Sequence, residues 1–252
     1  MECPFCGGKV EATFNFCPTC SQALKARPTD ELLIVALRSL SSGESKKAAK
    51  QLQEILQREP DNRLALKTLG NIYFHEGKLD EAILTYKKVL EHYPDYKDAL
   101  YDLGVAHYYR GDFNETVKYL RTLLRVDPQY KAALYRLGLA CFHLGLLDEC
   151  ITHLTRCVAL SPKNIMARYH LAVAFFARGD WDNACREFKS VTLKTPSNTA
   201  SHYQLGLAYK EAGKLDRAVK SFRKALELEP ENQRVKHELE VLAKSEPENG
   251  GP

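Results

Sequence analysis

The chain has 252 residues, of which 44% are hydrophobic and 27% are charged, and its formal net charge at pH 7 is +4. This composition is typical of a soluble protein with an apolar core. Because no apolar run approaches the ~18 residues of a membrane span and the first residues do not form a secretion signal, we expect a cytoplasmic protein without a membrane partner.

Two Cys-x-x-Cys pairs lie in residues 1–27, separated by ten residues. The four cysteines are Cys3, Cys6, Cys17 and Cys20. Two residues between cysteines allow both thiolates of a pair to face one ion, and a tetrahedral set of four thiolates suits Zn²⁺. The segment has few apolar residues, so we expect it to need the ion for folding. We predict one structural Zn²⁺ ion, bound by these four cysteines.

Residues 9–16, between the two pairs, alternate polar and apolar as a short hairpin does. The segment 1–27 resembles a minimal zinc ribbon, although its ten-residue spacer is shorter than the commonest pattern. An iron site and a redox function are the alternatives for these cysteines, and a redox motif would need a βαβ context that is not present.

Zinc ribbons can bind nucleic acid, so the charge of this segment matters. It contains three basic residues, Lys9, Lys25 and Arg27, and two acidic residues, Glu2 and Glu11, which leaves a net charge of +1. This charge is too small for a footprint on phosphates. We therefore expect no nucleic-acid partner and favour a structural or protein-docking ribbon.

The rest of the chain is organised by a period of 34 residues. Proline recurs at this interval from Pro60 to Pro230, and glycine recurs at it from Gly43 to Gly213. A fixed period of this length indicates an array of helical repeats. With Pro60 placed at position 32 of its unit, there are six units: 29–62, 63–96, 97–130, 131–164, 165–198 and 199–232.

Within each unit, the residue types predict two helices joined by a turn. Positions 8 and 20 carry small residues, as expected where two helices touch closely, because larger side chains would overpack the contact. The glycine at position 15 can adopt the left-handed conformation that ends the first helix. The proline at position 32 stops the second helix.

This pattern resembles the tetratricopeptide repeat (TPR) family. That family has Leu at position 7, small residues at positions 8 and 20, Gly at position 15, an aromatic residue or Leu at position 24, and Pro at position 32. Position 24 is occupied here by Leu52, Tyr86, Leu120, Leu154, Phe188 and Phe222. The resemblance covers 204 of the 252 residues. It implies an all-α, right-handed superhelix of six helix-turn-helix repeats with the first helices on a concave face, whereas an ordinary helical bundle gives no reason for a strict period.

The last residues are predicted to cap the array. The apolar spacing of the repeats continues at Val235, Leu239 and Leu242. Lys236 and Glu240 stand where a further repeat would need apolar and small residues, so we predict a capping helix over 233–245. The tail 246–252, with proline, two glycines and two acids, is expected to be disordered.

Catalysis finds little support in the sequence. Every notable glycine is explained by the repeat, and no Ser or Cys has a neighbouring base outside the period. The remaining cysteines fall at repeat core positions and are predicted to be small buried hydrophobes: Cys141, Cys150, Cys157 and Cys185. His143 and His170 could approach each other, but two histidines lack a third metal ligand. We predict no catalytic residues and no enzyme activity.

The predicted functional surface is the face that the first helices share at positions 2, 5, 9 and 12, which the resemblance implies is concave. Positions 5 and 12 are mostly aromatic, and position 9 is apolar from the third unit onward. The predicted partner-binding residues are Lys67, Asn71, Tyr101, Val105, Tyr108, Tyr135, Arg136, Leu139, Phe142, Tyr169, Val173, Phe176, Tyr203 and Leu207. An exposed stripe of this kind usually marks an interaction site.

Some TPR proteins hold the C-terminal carboxylate of a partner with five residues at fixed repeat positions. Lys67, Asn71 and Arg136 match three of these positions, whereas Asp102 and Ala132 replace an Asn and a Lys. We expect Asp102 to repel a carboxylate, so the pattern favours a different mode of binding.

The sequence therefore predicts a non-catalytic adaptor that binds a peptide or helix of a partner protein in the concave groove. The alternative is a nucleic-acid or transcription-linked factor that acts through the zinc ribbon. Self-association of the array remains open.

Overall fold

The computed structural model describes residues 29–245. The four cysteines predicted to bind zinc and the predicted disordered tail lie outside the described residues. Within 29–245 there are thirteen α-helices and no strands, which confirms the prediction of an all-α chain for this part.

The helices follow one another at short intervals. They are α1 (Asp30–Ser41), α2 (Ser45–Arg58), α3 (Arg63–His75), α4 (Leu79–His92), α5 (Lys97–Arg110), α6 (Phe113–Val126), α7 (Lys131–His143), α8 (Leu147–Leu160), α9 (Ile165–Arg178), α10 (Trp181–Lys194), α11 (Thr199–Glu211), α12 (Leu215–Leu228) and α13 (Gln233–Ser245). Among residues 29–245, none of them combines the length and the apolar character needed to cross a membrane.

The chain divides into two compact units, and the boundary falls between Ala106 and His107, inside α5. In the first unit, α1 packs on α2 and α3 packs on α4. In the second unit, α7 packs on α8, α9 on α10 and α11 on α12, while α13 packs on α12. Each of these contacts joins neighbours in the chain, as expected for stacked helical repeats.

Glycine ends the first helix of the pair formed by α9 and α10. Gly179 follows α9 with φ of 82°, a left-handed conformation that L-residues with side chains rarely adopt, and its N–H donates to carbonyl groups of the last helical turn. The other glycines at position 15 of their units have φ between 70° and 88° as well. The role predicted for this position is therefore confirmed.

The small residue at position 8 is required by close contact between the two helices of a repeat. A Cβ atom on Gly206 would lie 2.5 Å from Cε1 of Phe222, well inside van der Waals distance. Phe222 comes from the second helix of the same repeat and is fully buried. The predicted close approach of the two helices at position 8 is thus present, and the ring it meets belongs to the residue at position 24.

The core contains the residues at position 24 together with the free cysteines. Each residue at position 24 is at most 1% exposed. Within residues 29–245, the free cysteines Cys141, Cys150, Cys157 and Cys185 are also buried. Burial raises the pKa of the Cys141 thiol to about 11 and that of Cys150 to about 12. These thiols are therefore protonated near neutral pH, in agreement with the prediction that they behave as small hydrophobes.

Candidate functional site

The predicted partner-binding residues share one degree of burial. All fourteen are half-buried, whereas the residues at position 7 in the second to sixth repeats are buried. A half-buried ring or aliphatic chain contacts the scaffold on one side and can contact a ligand on the other. The face chosen from the sequence is therefore accessible in each of the two compact units.

The first compact unit has a small open pocket at this face. Its lining consists of Asn71, Phe74, His75, Tyr86, Asp102 and Val105. α3 and α5 supply the inner positions, and Tyr86 comes from the core of α4. The predicted residues Asn71 and Val105 are thus brought together, with the carboxyl group of Asp102 beside them.

The amide of Asn71 is held by a tyrosine hydroxyl. The Oη atom of Tyr86 donates a hydrogen bond to Oδ1 of Asn71 over 2.7 Å. Tyr86 is 1% exposed, and its burial raises the pKa of the phenol, which therefore remains a donor at neutral pH. This contact fixes the orientation of Asn71 and occupies its carbonyl oxygen.

Lys67 lies between two carboxylates of α5. Its Nζ atom is 3.9 Å from Oδ2 of Asp98 and 3.7 Å from Oδ2 of Asp102. Burial raises the pKa of Asp102, and the positive charge of Lys67 only partly opposes this effect. The charge of Lys67 is thus balanced within the unit. Both first-unit residues of the carboxylate grip, Lys67 and Asn71, already have partners, which argues against that mode of binding.

The second compact unit contains a cluster of three rings, Tyr108, Phe113 and His143, which we call the ring cluster. The Oη atom of Tyr108 is 3.0 Å from Nε2 of His143. Phe113 stacks on His143 with a centroid distance of 4.4 Å and an interplanar angle of 8°. Tyr108 and Phe113 meet edge to face at 5.4 Å. These contacts hold the cluster in one arrangement.

Arg136 lies over this cluster. Its Cζ atom is 4.8 Å from the ring centroid of Tyr108 and 5.4 Å from that of Tyr109, which is cation–π geometry. The Nε atom of Arg136 is buried and has no hydrogen-bond partner among residues 29–245. A guanidinium group has five N–H donors and no acceptor, so Arg136 offers a donor to an incoming carbonyl or carboxylate oxygen.

The other predicted rings of the second unit rest partly on other aromatic side chains. Four pairs have centroid distances between 5.0 and 5.9 Å: Tyr135–His170, Tyr169–Phe188, Phe176–Trp181 and Tyr203–Phe222. Because Phe188 and Phe222 belong to the core, the inner tyrosines support the repeat as well as the surface. Leu139, Phe142, Val173 and Leu207 are half-buried on the same helices.

Sequence reasoning missed three residues of this surface: Phe113, His143 and Trp181. Phe113 and Trp181 are each the first residue of the second helix of a repeat, and Leu is the commonest residue at that place in this chain. The replacement of Leu by an aromatic residue was the sequence signal that could have identified them. His143 was considered only as a metal ligand with His170. Burial lowers the pKa of His170, and the charge of His143 lowers it further. Both histidines instead contact aromatic rings.

The comparisons with known proteins agree with this geometry. Sequence patterns described as tetratricopeptide repeats match residues 101–165, 166–197 and 199–232, and one described as a TPR repeat matches 70–109. None of the curated proteins compared with the chain matches it.

Solved structures with the same fold include two of MamA. One is 31% identical, with alignment over 66% of this chain and 97% of MamA and a TM-score of 0.62. The other is 29% identical over 69% of this chain and 96% of MamA, with a TM-score of 0.65. YrrB, described as a TPR protein with an unusual peptide-binding site, is 20% identical over 76% of this chain and 99% of YrrB, with a TM-score of 0.70. At that identity, YrrB shows a shared fold only. The chain belongs to the tetratricopeptide repeat family.

Proposed function

We infer that this protein is a non-catalytic adaptor whose first helices bind a segment of another protein. Its membership of the TPR family supports protein–protein interaction. The half-buried apolar and aromatic residues on the inner positions supply the contact area that such a segment needs. The first-unit pocket and the ring cluster are two separate places where side chains of the partner would be held.

Arg136 is the observation that carries the proposal. The guanidinium group of Arg136 is half-buried and lies over two tyrosine rings, which positions its N–H donors at this face. A backbone carbonyl or a carboxylate of a partner would accept hydrogen bonds from them. Arginine next to aromatic residues is also the combination that most often dominates the free energy of binding at protein interfaces.

The test uses a peptide selected from a random library against the intact chain and then labelled for fluorescence anisotropy. Replacement of Tyr135 and Leu139 together by alanine should weaken binding by about 2–4 kcal/mol, because both contribute to the centre of the surface. The helical circular dichroism signal should not change. The matched control is Leu193→Ala, which alters a side chain of α10 that is 74% exposed and is not on the inner positions.

Unchanged binding in the double variant, together with loss of binding in Leu193→Ala, would place the site on the outer surface and end the proposal. Salt gives a second criterion. Binding to phosphates weakens steeply as salt is added, whereas binding in an apolar groove does not. Strong salt dependence with a nucleic-acid ligand would instead favour the alternative function.

The segment 1–27 is part of the proposal as a zinc-binding module. Four thiolates at this spacing form a soft tetrahedral set, which is the usual environment of structural Zn²⁺. We expect one zinc ion per chain at Cys3, Cys6, Cys17 and Cys20, measured by metal analysis of the purified protein. The Cys17→Ser, Cys20→Ser double variant should lose this ion and keep its helical signal. Retention of stoichiometric zinc at this site by that variant would show that the ligand assignment is wrong.

A further inference from the structure

In the fourth repeat, 131–164, three potential metal ligands stand at positions that lie close together in space. Position 11 holds Cys141, position 19 holds Glu149 and position 23 holds His153. The other repeats have mostly large rings at position 11: Ser39, Tyr73, His107, Phe175 and Tyr209. In the fourth repeat a thiol therefore replaces a ring, and the two other residues bring a carboxylate and an imidazole.

These three side chains converge from two helices. Cys141 lies on α7, whereas Glu149 and His153 are one turn apart on α8. One potential ligand atom from each residue lies within 4.8 Å of the other two. The Sγ atom of Cys141 is 4.0 Å from Oε2 of Glu149. Small side-chain rotations would bring these atoms to the separations found around one metal ion with bonds of ~2.0–2.3 Å.

We propose that Cys141, Glu149 and His153 form a binding site for a divalent metal ion, with Zn²⁺ as the best match. One thiolate, one imidazole and one carboxylate suit this borderline-soft ion and leave a fourth coordination position for water. The ion would link α7 to α8 within a single repeat. This site uses none of the cysteines in residues 1–27 and none of the predicted partner-binding residues.

The imidazole of His153 is ready to bind a cation. Its Nδ1 atom is buried and has no hydrogen-bond partner among residues 29–245. A buried ring nitrogen without a partner is costly, and coordination to an ion would remove that cost.

The thiol of Cys141 has to lose its proton when the ion binds. The reaction is Zn²⁺ plus the thiol giving a zinc–thiolate bond and one released proton, which passes to solvent or buffer. The carboxylate of Glu149 is 44% exposed and provides a path for the ion. Arg121 of α6 forms an ion pair with the same carboxylate, through Oε2. Its positive charge opposes a cation, so we expect this site to be weaker than the four-thiolate set.

The experiment uses the full chain with Cys3, Cys6, Cys17 and Cys20 changed to serine, so that the four-thiolate site is removed. Titration with Co²⁺, which replaces Zn²⁺ and absorbs light, should give one equivalent of bound metal with a thiolate-to-cobalt charge-transfer band. Zn²⁺ should displace the cobalt and abolish the band. In the same background, Cys141→Ala should remove the band, because Cys141 is the only thiolate of the proposed site.

Glu149→Gln and His153→Ala should each weaken binding at least as much as the ~10–100-fold that is typical for loss of an outer-shell partner. Glu149→Gln preserves the shape of the side chain, so a loss of affinity in this variant would not result from disturbed packing of the core. The matched control is Cys157→Ala, which removes another buried thiol from α8 and should leave the band and the affinity unchanged. Absence of a thiolate band, or a band that survives Cys141→Ala, would refute the proposal.

Discussion

The carboxyl group of Asp102 should destabilise the protein at neutral pH, although a lysine lies beside it. Its Oδ2 atom is buried and has no hydrogen-bond partner within residues 29–245. Nζ of Lys67 is 3.7 Å from this atom, which is too far for a hydrogen bond. Burial raises the pKa of Asp102, and Lys67 does not fully compensate. The charged form of Asp102 is therefore less favourable in the folded protein than in the unfolded chain.

Replacement of Asp102 by asparagine keeps the shape of the side chain and removes its charge. The substitution removes the cost of burying the charge, which exceeds the attraction of Lys67 because the pKa of Asp102 is raised, and a partly exposed ion pair contributes only ~0.2–1 kcal/mol. The difference predicts that Asp102→Asn raises the free energy of unfolding by about 1 kcal/mol at pH 7.5. If the attraction of Lys67 were the larger effect, the substitution would instead lower the free energy of unfolding.

The size of this effect depends on pH. Because the pKa of Asp102 is raised in the folded state, its cost is absent below the unfolded value of ~3.9, where the carboxyl group is protonated in both states. The cost develops as pH rises from that value through the folded-state pKa and is complete above it. The stabilisation by asparagine should therefore be largest at pH 7.5 and should shrink toward pH 4.

Urea unfolding, followed by circular dichroism at pH 7.5 and pH 4.5, measures this difference. The matched control is Asp98→Asn, since Asp98 also faces Lys67 but its side chain is 51% exposed. Its effect should stay within about 0.5 kcal/mol at both values. Destabilisation by Asp102→Asn at pH 7.5, or stabilisation that does not change with pH, would refute the reasoning.

Two further predictions concern the repeat scaffold. The side chain of Asn164 accepts a 3.0 Å hydrogen bond from the first turn of α9, so Asn164→Ala should lower the free energy of unfolding by about 1 kcal/mol in urea, while Lys163→Ala should have little effect. Gly206→Val should cost about 1–3 kcal/mol or more, because its side chain would overlap the buried ring of Phe222. An unchanged urea midpoint in Gly206→Val would mean that the two helices can separate without penalty.

The repeated scaffold was largely predictable because the same residue types recur at the same positions of each repeat, where the backbone or the helix contact requires them. Gly179 is needed for its left-handed backbone, and Gly206 for the close approach of Phe222. A single copy of either glycine would have been ambiguous. Six glycines at position 15 and six small residues at position 8 identified the helix ends and the helix contacts, without any knowledge of long-range packing.

The details of the functional face were less predictable, because they depend on side chains that differ between repeats. The period placed Asn71 on the inner face but gave no sign that the hydroxyl of Tyr86 holds it. Similarly, His143 lies one repeat beyond Tyr109 in the pattern but contacts Tyr108 and Phe113 in the fold. Such contacts depend on the rotamers of individual side chains, which repeat position does not determine.

Cys141 shows how a correct interpretation can still be incomplete. Its repeat position predicted a buried hydrophobic residue, and it is buried. However, Glu149 and His153 reach it from the next helix, and this was found only from distances between side-chain atoms. Comparison of position 11 across the repeats contained a signal, since this is the one repeat with a cysteine at that position.

The location of a bound partner is the most direct test of the adaptor function. A photo-crosslinking amino acid would be introduced at position 139 on the inner face of α7 or at position 193 on α10, each in the intact chain. The labelled peptide selected from the library would then be irradiated with each protein. We predict crosslinks at position 139 that unlabelled peptide competes away, with only background at position 193. Specific crosslinks at position 193 and none at position 139 would contradict the account.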